Sequence, residues 1–194
     1  MKIQNEMRIG MIKKVSEKFV KCIAEDKCTS EEIEEMEYVL RVMIYEVLKT
    51  VGMILVFWLA GYFIESTMIS IVMCVTKPYI GGYHEDTQMR CFIASMLFTA
   101  GEILLCRQCS LSFLGNCMMI CICIFAIYNR APVINSKMPI TRLELIQKNR
   151  TKGVRNSIIL GVISILLYKY TFMYSLITWT LIIEVLLMFN KREK

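Results

Sequence analysis

Residues 77–91 read KPYIGGYHEDTQMRC and hold the only histidine of the chain, His84, seven positions before Cys91. An imidazole and a thiol are the two halves of a nucleophilic pair, in which the thiolate attacks and the imidazole takes and returns the proton. Positive charge and a helix N-terminus favour the thiolate. Lys77 and Arg90 supply the charge, and an apolar helix is expected to start around Thr87 to Cys91. Proton exchange requires the two side chains within about 3 Å. On one continuous helix they would share a face but stand about 10.5 Å apart along its axis. They meet only if His84 belongs to a loop that folds back over the helix start. Gly81 and Gly82 are free to adopt positive φ and allow close backbone approach, which is what such a fold needs. The blander alternative is a polar residue at a membrane boundary next to a core thiol, and residue types alone do not separate the two.

The elements that must position this pair are membrane helices. The chain has 194 residues, 56 % of them hydrophobic, with only three prolines and a mean hydropathy of +0.50. The expected fold is all-α, a polytopic integral membrane helical bundle of about six transmembrane or partly re-entrant helices with an N-terminal amphipathic helix. The apolar segments run from Val42 to Ile64, Ser66 to Val75 or Tyr79, Cys91 to Cys106, Ser110 to Tyr128, Ser157 to Tyr168 and Thr171 to Phe189. The second and fifth are short for a bilayer that takes about 20 helical residues, so half-spans remain open there.

Charge sets the expected orientation, because loops rich in Lys and Arg stay cytoplasmic. Residues 1–41 hold eight such residues, 130–155 hold seven, and the tail adds Lys191, Arg192 and Lys194. Six spans then put both termini and the 77–91 loop inside. The chain divides into a cytoplasmic or interfacial segment, 1–41, a transmembrane domain, 42–190, with the catalytic loop 77–91 and a basic loop 130–155, and a cytoplasmic tail, 191–194. In the first segment Ile3, Met7, Met11, Val15 and Phe19 recur every four residues opposite Lys13, Lys14, Lys18 and Lys21. That pattern predicts an amphipathic helix lying on anionic membrane lipid, or packed on its neighbours. Thr29 and Glu32 have capping-box spacing, so a second helix is expected to begin there.

The other chemistry-bearing residues are weaker candidates. Cys117, Cys121 and Cys123 sit in an apolar segment where buried thiols are ordinary. Cys106 and Cys109 form one two-residue pair, and with a single histidine no metal centre or other cofactor is expected. Glu46 and Lys49 are three apart and fit a helix-face pair, while Glu102 and Glu184 are acids within apolar spans, which face a partner or a cavity. Two further readings follow from these features: a transporter or export component working through the buried acids, or a non-enzymatic membrane scaffold. Nucleic-acid binding is not expected, since the basic residues adjoin spans and no reading module is present.

Gly-Gly-Tyr-His, six intervening residues and then Cys, in a small polytopic chain with a basic interior loop, resembles the accessory gene regulator B (AgrB) family. Asn129-Arg-Ala-Pro132 followed by Lys137-Met-Pro139-Ile140 is also similar to the family pattern. Two positions depart from it: Glu85 follows the histidine where a small residue is common, and Lys77 stands where Arg is common. The resemblance implies a membrane cysteine endopeptidase of Gram-positive bacteria. It would cleave an AgrD-type propeptide through a peptidyl thioester on Cys91 and promote closure of a thiolactone or lactone ring. It implies His84 and Cys91 as catalytic, Gly81 and Gly82 as the turn, and a homodimer in the cell membrane. Glu85 and Asp86 are candidates to orient the imidazole, Lys77 and Arg90 to supply charge, and Lys148, Arg150 and Lys152 to attract an acidic precursor tail.

Overall fold

The computed structural model describes residues 30–82, 87–133 and 143–189. The predicted amphipathic helix falls on residues before 30, and it lies outside them, as does the C-terminal tail. Six helices and no strand occur among the described residues: α1 Ser30–Leu59, α2 Phe63–Ile80, α3 Gln88–Gln108, α4 Phe113–Arg130, α5 Leu143–Leu167 and α6 Met173–Phe189. Four of them, α1 from Met36, α2, α3 and α4, are long and apolar enough to cross a membrane. The chain is an all-helical membrane protein.

The chain separates into two compact units, Met1–Gly52 and Met53–Lys194. In the first, the described part is the polar and then apolar start of α1. Its charged residues pair along their own helix, Arg41 with Glu37 at 2.8 Å and Lys49 with Glu46 at 2.5 Å, as the three-residue spacing of the second pair predicts.

In the second unit the boundary between the first two apolar segments differs from the expectation. The run expected to continue to Ile64 stops at Leu59, because Gly61 takes φ 83°. The amide of Tyr62 then donates to Phe57 O at 2.7 Å and that of Gly61 to Trp58 O at 3.0 Å. This double closure satisfies the last carbonyls of α1 and ends it. The residues released extend α2 to 18, so the second segment is no short half-span. Residues 143–155, expected within a basic loop, instead form the first half of α5. Only its second half is apolar; the 11 residues 157–167 span about 16 Å, short of a bilayer core.

α6 lies at the centre of this unit, against α2, α3, α4 and α5, and α5 also packs on α2 and α4. Leu181, Ile177, Ile127, Ile80 and Val72 form one buried cluster, and Ile69, Leu176 and Ile103 form another with Met53 and Phe57. Lipid is as apolar as these side chains, so close packing and interhelical hydrogen bonds must supply the adhesion. Asn116 provides the most connected case: its Nδ2 donates to Ser164 Oγ at 3.1 Å, and its Oδ1 accepts from Thr178 Oγ1 at 2.6 Å. Three helices are tied in one buried cluster.

Gly161 allows α5 to approach α4, since a Cβ there would meet Ile120 Cγ2 at 2.6 Å. Gly161→Val is expected to overpack this contact at a cost of about 1–3 kcal/mol, read as a lower unfolding midpoint in detergent. Gly101→Ala is the control and should leave the midpoint nearly unchanged, because a Cβ at Gly101 meets nothing within 4 Å.

Candidate active site

α3 begins at Gln88, after Thr87 at φ −122° and ψ 145°. The Thr87 hydroxyl accepts from the Arg90 amide at 3.3 Å, and the Thr87 carbonyl accepts from the Cys91 amide at 2.9 Å. A threonine with extended dihedrals whose oxygen bonds the third helical amide is a favoured N-cap, and it fixes where the helix can start. Cys91 therefore sits in the first turn of α3, half-buried, and Arg90 beside it is exposed. The helical link to residue 84 that would have held the pair apart is ended by this cap. His84, Glu85 and Asp86 lie outside the described residues.

Cys91 lines a cavity of about 20 Å³ with Met73, Lys77, Ala94, Ser95, Phe98 and Leu187. Lys77 comes from the last turn of α2 and brings positive charge to the thiol's surroundings. It also lies within electrostatic reach of Glu102 and Glu184. Both acids are buried. Glu184 meets Thr76 Oγ1 at 2.7 and 2.6 Å, and Glu102 Oε2 accepts from Thr180 Oγ1 at 3.0 Å. The buried acids are thus tied to hydroxyls between helices, and Lys77, which lines the cavity, acts electrostatically on both.

The two glycines adopt the conformations that their place in the sequence predicts, φ 73° at Gly81 and 141° at Gly82. Gly81 is also pinned from across the bundle. It forms an isolated parallel bridge with Val133, whose amide donates to Ile80 O at 2.9 Å. A Cβ at Gly81 would stand 2.3 Å from Val133 O, so no side chain fits. The stretch after α4, Ala131 to Val133, is therefore the brace on which the turn before His84 rests.

The three basic candidates of the 130–155 stretch separate on α5. Lys148 is exposed. Lys152 lies 5.3 Å from the ring centroid of Tyr79, near the α2 end, whereas Arg150 stacks on Tyr128 of α4 at 4.7 Å. Sequence reasoning did not single out Ser95 and Phe98 beside Cys91, although their spacing of four and seven places them on the same helix face. Val133 carried no local signal of its contact with Gly81, 52 residues earlier.

The family model for accessory gene regulator B matches residues 12–188. The chain belongs to the accessory gene regulator B family. It is 41 % identical over 162 residues, covering 84 % of the chain and 87 % of the relative, to a protein of Clostridium perfringens (strain 13 / Type A) named Putative AgrB-like protein 1. No solved structure matches it. Membership assigns the chain to the accessory gene regulator system of quorum sensing, a membrane setting that the four long apolar helices fit.

Proposed function

We propose that this AgrB-family protein is a membrane-embedded cysteine endopeptidase that cleaves the C-terminal tail from an AgrD-type propeptide and promotes cyclisation of the product. The observation that carries the reading is the position of Cys91 in the capped first turn of α3, beside Lys77, with a positive-φ Gly81-Gly82 turn immediately before Tyr83-His84. His84 takes the Cys91 proton, and the sulfur attacks the carbonyl at the cleavage site. As the C–N bond breaks, His84 returns the proton to the departing amine and a peptidyl thioester remains on Cys91. A thiol or hydroxyl within the bound peptide then attacks that thioester, closing a thiolactone or lactone and regenerating the Cys91 thiol. The thioester keeps the reactivity of the acyl group, so ring closure needs no nucleotide.

Backbone amides exposed at the start of α3 are the candidate donors to the tetrahedral oxyanion. Glu85 and Asp86 are candidates to orient the imidazole, and Lys148, Arg150 and Lys152 to draw in an acidic tail. The working assembly in this reading is a homodimer in the plasma membrane, with termini and site on the cytoplasmic side and the N-terminal segment on anionic lipid.

Co-expression with the propeptide provides the test. The wild type should release a tail fragment and a cyclic peptide, resolved by mass, whereas Cys91→Ala should release neither and Glu102→Gln should retain cleavage. Cleavage that survives Cys91→Ala but is lost in Glu102→Gln would favour transport-type chemistry at the buried acids.

A further inference from the structure

A groove of about 650 Å³ lies away from Cys91, between the end of α4 and the first half of α5. Its polar end carries Gln147 and Arg150, Arg155 follows, and its far end is Ile158 and Ile159, with Tyr128 forming the facing wall. Both arginines and both isoleucines are exposed. Polarity therefore falls along the axis of α5, from charged to wholly apolar, over the roughly 18 Å that 12 helical residues cover.

Arg150 is held in place here. Its Nε donates to Tyr128 O at 3.0 Å and its guanidinium carbon lies 4.7 Å from the Tyr128 ring centroid. That bond uses one of five guanidinium N–H donors, and the planar fork suits a phosphate. Below it the apolar side continues on exposed Val162 of α5 and Phe125 of α4, the surfaces that the chain presents to hydrocarbon. Tyr128 has an apolar body and a polar tip, the type of residue enriched where membrane meets water.

We propose that this groove binds an anionic phospholipid, with the phosphate on Arg150 and Arg155 and an acyl chain along Ile158 and Ile159. A one-way gradient from charge to hydrocarbon is the chemistry of a lipid. An acidic peptide drawn toward Cys91 would need a path to α3, and α3 packs on α2 and α6, whereas α4 and α5 wall the groove. The groove does not include Cys91 and is separate from lipid attraction by the N-terminal segment; in this assignment Arg150 serves the lipid phosphate, which leaves Lys148 and Lys152 to draw in an acidic tail.

The test uses the full chain, delipidated in detergent and exposed to equimolar phosphatidylglycerol and phosphatidylcholine, with bound lipid counted by native mass spectrometry. Phosphatidylglycerol should be retained over phosphatidylcholine by about tenfold, the scale of one charge-assisted contact. Arg155→Gln, at an exposed side chain, should remove most of that preference. Arg150→Gln should do likewise and Arg150→Lys should restore part of it, which separates the charge from the Tyr128 anchor. Equal retention of the two lipids, or a preference unchanged in Arg155→Gln, overturns the proposal. So does Arg155-dependent capture of an acidic peptide that phosphatidylglycerol does not displace, since the groove would then be a peptide site.

Discussion

Gly81→Val is expected to lower precursor cleavage by about a hundredfold, the penalty attached to displacing a reacting group by about an ångström. The argument rests on two independent features of one residue. Gly81 has φ 73°, a region that a β-branched residue scarcely enters. Its missing Cβ also leaves the space occupied by Val133 O, 2.3 Å from where that carbon would be. Valine must therefore break the contact with the segment after α4 or rotate the backbone, and either change re-aims the chain entering His84. Gly82→Ala separates the two causes. Gly82 has φ 141° but nothing within 4 Å of a Cβ, so alanine there suffers backbone strain without the clash and should cost less activity. The check is cleavage per molecule of membrane-inserted protein, and a normally inserted Gly81→Val with near wild-type cleavage would show that the brace does not position the site.

His84→Ala is expected to reduce cleavage by about 10²- to 10⁴-fold, the usual contribution of a positioned acid–base group. Both halves of the proposed reaction depend on the imidazole: it removes the thiol proton before attack and supplies a proton to the leaving amine. Loss of the first half alone should also slow alkylation of Cys91 by a small haloacetamide, an assay that involves no propeptide. Glu85→Gln and Asp86→Asn should act more weakly, since they can only orient the ring. If His84→Ala leaves both alkylation and cleavage unchanged, another group is the base.

Local signals in the sequence served well where the physics is local. Thr87 caps α3 because its hydroxyl reaches an amide three residues on, and Gly81-Gly82 adopts the positive φ that glycine permits. The helical bundle was legible from apolar length alone. Hydropathy did not reveal the break at Gly61, because glycine and its neighbours Ala60 and Tyr62 do not interrupt an apolar run while the backbone reverses. It likewise hid the helix over 143–155, where charge masked the small-residue pattern of Gly153, Ser157, Gly161 and Ser164, all buried against neighbouring helices. The bracing of Gly81 by Val133 and the bond between Thr76 and Glu184 join residues distant in sequence. Only tertiary packing creates them, so no spacing rule announces them.

The central claim, that Cys91 carries the peptide as a thioester, is tested most directly by intact-protein mass spectrometry of the chain quenched in acid during turnover of its propeptide. The account predicts a species heavier by the N-terminal peptide fragment, mapped to Cys91, discharged by hydroxylamine and absent in Cys91→Ala. Cleaved and cyclised product that accumulates with no such adduct at any time, or with the adduct on another residue, would contradict it.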